Sequence, residues 1–442
     1  MDPMTIGLVA MVAVLVLLAM RVPIAFALAG VASVGTFLVY ATRTGGWTPD
    51  RALNPTSSVV FSNFFDLVHS YDLSMVPLFV ALGNIAFYAG ITTRIYDAAA
   101  VWLRQLPGGV AMASVLGCGG FSAISGSSIA CASTMGRICV PEMLRMGYDP
   151  RLATSSVAVG GTLGSLIPPS VLFILYGIFT ETSIAQLFLA GILPGLLSLA
   201  GMLLVIAWWV ARDPKAAPAG EAGTASRMDA AIAAWPALML FVVIVGGIYG
   251  GIFTATEAAA VSVVLTTLIG FAQRRLTLEI LWRAIRESLV QTAAIFLIAG
   301  AAKIFVSFVA LTGMAGAVVG MVSDAQLSFA MLMLVVVVIY IVLGMFLDPI
   351  GIMVLTLPFM VPLVEGYGLN LIWFGVIVVK LLEIGLITPP VGLNVFVVSN
   401  VTKNVGIDKI FAGVSRFLVI DVLVLVLLIL FPIISLLIPG SM

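Results

Sequence analysis

Gly164-Ser165-Leu166-Ile167-Pro168-Pro169 recurs as Gly385-Leu386-Ile387-Thr388-Pro389-Pro390, an offset of 221 residues in a chain of 442. At the same offset Pro141 matches Pro362, Gly147 matches Gly368 and Leu172 matches Leu393. Both Pro-Pro pairs interrupt long apolar runs. A proline inside a helix removes a backbone donor and frees a carbonyl upstream. Broken apolar helices in corresponding places of two halves point to the binding site of a secondary transporter.

Composition agrees. The chain is 62% hydrophobic and 9% charged, with a mean hydropathy of +1.22. A soluble domain carries about a quarter charged residues. The sequence predicts an all-α integral membrane protein. The first apolar run, from Met4, continues through Arg21-Val22-Pro23 into a second, so it reads as a span and not a removable signal. Net charge is zero, which gives no reason to expect nucleic acid. Cys118, Cys131 and Cys139 lie in one apolar region without CxxC spacing, and His69 is the only histidine. They read as small buried hydrophobes, and no cofactor is expected.

A span needs about 20 apolar residues. About ten spans follow, near 4–20, 22–40, 68–90, 151–179, 184–211, 231–250, 254–271, 288–311, 371–400 and 407–438. Residues 107–145 and 326–365 instead rise to polar tips, at Ser125 to Ser128 and at Leu347-Asp348-Pro349, and return. They read as two re-entrant hairpins. Residues 274–287 read as an amphipathic helix on the membrane surface, with 48–66 in the matching place of the first half. The linker 212–229 joins the halves.

Five crossings per half give two inverted-topology repeats. Fourteen Lys and Arg residues, among them Arg94, Arg145, Arg151, Arg275 and Lys403, then fall on one face. Only Arg43 and Arg51 fall on the other. The positive face is cytoplasmic, and both termini are expected in the periplasm.

The site is expected between each tip and its broken helix. Hydroxyls and freed carbonyls at Ser125, Gly126, Ser127, Ser128, Gly161, Thr162 and Pro168 suit an alkali cation. Gly344, Met345, Asp348, Thr388, Pro389 and Pro390 would form the second such place. Asp348 aligns with Ser127 and reads as a cation ligand, a proton carrier or a helix N-cap. Substrate would lie between the two, near Ser127, Ser128, Pro169 and Asn394. Arg137 either attracts an anion or snorkels to the cytoplasmic face. Lys380 and Glu383, three apart, are expected to pair with each other. Lys303 and Glu257 read as packing anchors or contacts to a partner chain. Gly246, Gly247, Gly250 and Gly251 form overlapping GxxxG patterns for close helix packing.

These stretches resemble the large membrane subunit of tripartite ATP-independent periplasmic (TRAP) transporters. The resemblance is carried by Gly120 to Ser128, Val140-Pro141-Glu142-Met143, Gly160 to Gly164 with Ile167 to Ser170, Phe188 to Gly195, Gly250 to Val261, Gly344 to Asp348 and Leu386 to Gly392. It implies an inner-membrane, sodium-driven importer of a small organic acid, with Na+ as coupling ion. It implies two partners, a small four-helix membrane subunit and a soluble periplasmic binding protein. It also implies an elevator. Residues 107–183 and 326–406 would then form the moving domain, and 1–106, 184–325 and 407–442 the scaffold. Arg137 and Lys380 depart from the pattern such relatives suggest. The competing reading is a stand-alone ion-coupled carboxylate carrier. No HExxH, GxSxG or paired-acid motif supports an enzyme. A channel would need polar stripes along whole helices.

Overall fold

The apolar runs become helix, and the described residues contain no strand. The computed structural model describes residues 2–43, 46–218, 226–402 and 405–441. Residues 219–225 of the linker, Lys403, Met1 and Met442 lie outside them. The first half runs α1 (Pro3–Ala19), α2 (Ile24–Thr42), α3 (Pro49–Val68), α4 (Met75–Tyr88) and α5 (Ile91–Leu103). It continues through α6 (Gly109–Ser125), α7 (Ser128–Arg145), α8 (Pro150–Gly160), α9 (Val171–Thr180) and α10 (Ile184–Arg212). The second half runs α11 (Arg227–Ala233), α12 (Trp235–Phe241), α13 (Gly247–Tyr249), α14 (Ala255–Ala272), α15 (Leu278–Thr312) and α16 (Met314–Asp324). It ends with α17 (Phe329–Gly344), α18 (Pro349–Gly366), α19 (Leu371–Gly385), α20 (Leu393–Thr402) and α21 (Ile407–Leu430).

The offset of 221 reappears in these bounds. Helices α7 and α18 have 18 residues each, and both ends are displaced by 221. Helices α8 and α19 start 221 apart. Side chains set the starts. Ser127 Oγ accepts the Ala130 amide at 3.4 Å and begins α7. Asp348 does the same for α18 through Gly351, at 3.0 Å. Ser170 caps α9 through Phe173, and Asn370 caps α19 through Ile372 and Trp373. Each cap satisfies amides that a helix start leaves open.

Among the described residues, six helices are long and apolar enough to cross a membrane alone, and eight if the bent pairs α3–α4 and α11–α13 count as one each. One of the six is the hairpin arm α18. Ten crossings are reached by leaving it out and adding α1 and the broken pairs α8–α9 and α19–α20. The hairpin arms have 16 to 18 residues, roughly 24–27 Å at 1.5 Å per residue. A bilayer core is about 30 Å thick.

Two elements depart from the sequence reading. Residues 274–287 do not form a separate surface helix. From Leu278 they are the first turns of α15, 35 continuous residues and about 52 Å long. No proline or glycine stands between Leu278 and Ala299, so nothing ends the helix before the apolar run begins. In the first half α3 stops at Val68, and the chain bends 59° into α4. Residues 91–103, unassigned from sequence, form α5. It buries Ile91, Thr92 and Tyr96.

Helix α15 packs along α2 and α4, and α4 along α14. Helices α10 and α21 pack on each other and on α8 and α19, so they sit among the broken helices. Cys118, Cys131 and Cys139 are buried and unbridged in the cluster around α6, α7 and α8.

Candidate functional site

The first tip and the first break touch. Gly126 ends α6 with a φ of +62°, a conformation that favours glycine. A Cβ on it would meet the Pro169 carbonyl oxygen at 2.7 Å. A Cβ on Gly164 would lie 2.7 Å from the Ser128 nitrogen and 2.8 Å from the Ser127 carbonyl carbon. Two glycines thus let backbone lie on backbone. The Val171 amide donates to the Gly126 carbonyl at 3.3 Å. Gly161 is also near, its Cβ position 3.2 Å from the Ser128 carbonyl oxygen. Ser125, Gly126, Ser127, Ser128, Gly161, Gly164, Pro168 and Pro169 therefore share one place. Thr162 turns its hydroxyl back to the Val159 carbonyl at 2.7 Å. The Ser125 hydroxyl is buried without a hydrogen-bond partner among the described residues.

The second tip meets its break through a different pair of residues. Gly344, at the end of α17, packs backbone to backbone on Gly385, at the end of α19. Met345 and Asp348 are half-buried beside it. Thr388 Oγ1 donates to the Ile384 carbonyl at 2.6 Å. Pro389 and Pro390 are exposed, whereas Pro168 and Pro169 are buried. Both Pro-Pro bonds are cis.

Asn394 links the two breaks. It is fully buried in α20, and its Nδ2 donates to the Ala158 carbonyl of α8 at 3.3 Å. Its Oδ1 has no hydrogen-bond partner among the described residues. Arg137 is not brought to the tip. It is exposed on α7, nine residues past Ser128 and so about 13 Å along the helix.

The structure adds residues that the sequence reading did not place in the site. Ser128 Oγ donates to Glu383 Oε1 at 2.5 Å, and Ser128 and Ser165 hydroxyls lie 2.9 Å apart. Glu383 thus crosses from the second repeat to the first tip. The expected Lys380–Glu383 pair does not form. Lys380 Nζ bonds Asp421 Oδ1 at 2.5 Å and Ser198 Oγ at 3.1 Å. Helices α21 and α10 pack on α19 and offer Lys380 partners that spacing along one helix cannot show. The available signal for Glu383 was its position. An ionisable residue inside an apolar run, one turn before a break, is costly unless used.

In chemical terms, each half joins a capped helix start, close glycine backbone and hydroxyls. These are oxygen ligands for a hard cation and amides for a carboxylate. No group of three or more His, Cys, Asp or Glu able to hold a metal occurs among the described residues.

Comparison with known proteins agrees with this architecture. Residues 11–434 match the family described as tripartite ATP-independent periplasmic transporter, DctM component. The chain is 33% identical over 377 residues to the C4-dicarboxylate TRAP transporter large permease protein DctM of Pseudomonas aeruginosa, covering 85% of this chain and 88% of that protein. It is 31% identical over 376 residues to the sialic acid TRAP transporter large permease protein SiaM of Vibrio cholerae, covering 84% and 87%. The solved YdaH transporter of Alcanivorax borkumensis has the same fold at 16% identity, with a TM-score of 0.63 over 86% of this chain and 89% of that one. These relatives are transporters, not enzymes. This multi-pass membrane protein belongs to the DctM family, the large permease component of tripartite ATP-independent periplasmic transporters.

Proposed function

We propose that this chain is the large permease of a sodium-coupled importer of a small organic acid. The observation that carries the reading is the doubled junction, Gly164 on Ser128 in one half and Gly344 on Gly385 in the other. Each joins a hairpin tip to a break, and between them Asn394 ties one broken helix to the other. Two cation places flanking one substrate place is the simplest use of that layout. The names of relatives give the substrate its class. C4-dicarboxylate and sialic acid are both organic anions.

A small membrane subunit and a periplasmic binding protein complete the transporter. Both termini face the periplasm. Helices α6 to α10 and α17 to α21 form the moving body, because α10 and α21 pack among the broken helices. Helices α1 to α5 and α11 to α16 form the scaffold. This enlarges the moving domain beyond 107–183 and 326–406.

Uptake of a labelled organic acid into proteoliposomes tests the reading. With the small subunit and loaded binding protein present, an inward sodium gradient should drive accumulation, and potassium should not. Equal uptake by the lone chain would favour a stand-alone carrier. Accumulation indifferent to sodium would overturn the coupling.

A further inference from the structure

Lys380, Glu383 and Asp421 are each 1% exposed, so two carboxylates and one ammonium are buried together. The ammonium is committed to Asp421 and Ser198. Glu383 forms no ion pair among the described residues. Its Oε1 takes one hydrogen bond from Ser128, and its Oε2 is buried with no hydrogen-bond partner among the described residues. An uncompensated carboxylate inside a membrane domain is too costly to remain as such. It must take up a cation or a proton.

The surrounding oxygens favour a cation. Ser128 and Ser165 hydroxyls lie 2.9 Å apart beside Glu383, and the Ser125 hydroxyl at the same tip also lacks a partner among the described residues. Neutral hydroxyls around one carboxylate make a singly charged set of hard oxygen ligands. Resting on the sodium reading above, we infer that Glu383 supplies the negative charge of the cation site at the first tip. It reaches that site from the opposite repeat. At the offset of 221 its counterpart is Thr162, which has no charge. Two residues after Glu383, Gly385 seats the second tip against Gly344. One helix end thus contributes a ligand at the first site and the seat of the second.

The test is sodium-dependent thermal stabilisation of the purified full-length chain, with potassium holding ionic strength constant at fixed pH. Glu383→Gln should raise the sodium concentration for half-maximal stabilisation by roughly tenfold, and Glu383→Asp should recover part of the loss. Ser128→Ala and Ser165→Ala should raise it less, and they keep the test open if Glu383→Gln does not fold. An unchanged sodium midpoint in Glu383→Gln, or in both serine variants should it not fold, overturns the assignment. Proteoliposome uptake measured alongside separates the two levels. Wild-type uptake that ignores sodium removes the functional reading, whereas wild-type sodium dependence with an unaltered Glu383→Gln midpoint removes only the role of Glu383.

Discussion

Gly344 and Gly385 leave no room for a side chain on either. A Cβ on Gly344 would lie 2.8 Å from the Gly385 Cα, and one on Gly385 would lie 2.7 Å from the Gly344 Cα. The obstructing atoms are backbone, so neither helix can yield by a rotamer change. Gly385→Ala or Gly344→Ala should therefore lower stability by about 1–3 kcal/mol, the usual cost of overpacking. Gly316→Ala is the control. Outside its own helix backbone, no atom of the described residues lies within 4 Å of its Cβ position, and alanine suits a helix better. Melting of detergent-solubilised variants checks the order. Equal melting of Gly385→Ala and wild type would contradict the close approach.

The pair Lys380–Asp421 joins α19 to α21 inside the protein. Removing one partner leaves a buried charge without its counterion. Asp421→Leu or Lys380→Met should each cost about 3–5 kcal/mol. The double replacement Lys380→Met with Asp421→Leu should be less harmful than either single change. A double-mutant cycle on melting temperature measures this, and simple additivity would mean that the pair does not act as a unit.

Asp149 caps α8 at a connection outside the apolar helices, and Arg151 holds it with hydrogen bonds of 2.6–3.1 Å. Burial raises its pKa, but the Arg151 bonds and charge outweigh burial and hold the carboxyl below its ordinary value. On acidification the unfolded chain then takes up the proton first. The stabilisation is present above the ordinary aspartate pKa of about 3.9 and fades as pH falls through the lower folded value. The melting difference between wild type and Asp149→Asn should be steady near neutrality and shrink below about pH 4. A difference that grows on acidification would reverse the assigned sign.

Sequence legibility followed local chemistry. Glycine and proline mark breaks, and serine and aspartate mark helix starts. The tips at Ser127 and Asp348 and the breaks at Pro168-Pro169 and Pro389-Pro390 therefore stand where the pattern placed them. Long-range packing was not legible. Glu383 meets Ser128 across 255 residues, and Lys380 meets Asp421 across 41. No spacing rule within one helix reports such contacts. The continuity of α15 was missed for another reason. Its amphipathic start and apolar remainder differ in composition, yet no residue between Leu278 and Ala299 interrupts the backbone ladder.

Orientation rests on charge alone. If five crossings per half place fourteen Lys and Arg residues on one face and two on the other, the linker 212–229 should be cytoplasmic. Protease added from the cytoplasmic side should cut there, and reporters fused at Met1 and Met442 should both read periplasmic. A cytoplasmic reporter at Met442 would contradict five crossings per half.

Asp348 separates three roles by experiment. It caps α18 through the Gly351 amide and is half-buried at the second tip, two residues after Phe346 and four after Gly344. Asp348→Asn removes the charge at nearly constant size. If the carboxylate is a cation ligand, sodium affinity in the uptake assay should fall by about 1–3 kcal/mol, as for a typical coupling energy. Ser127→Ala, which removes a neutral oxygen at the aligned position, should cost less. A proton carrier would behave differently, since Asp348→Asn would lose pH-dependent uptake and keep its sodium response. A residue acting only as a cap would be replaced by serine without loss, because serine caps equally well. We expect the first outcome, with a sodium Hill coefficient above one in wild type. Asp348→Asn with a wild-type sodium midpoint would take the residue out of the cation site and leave its part in starting α18.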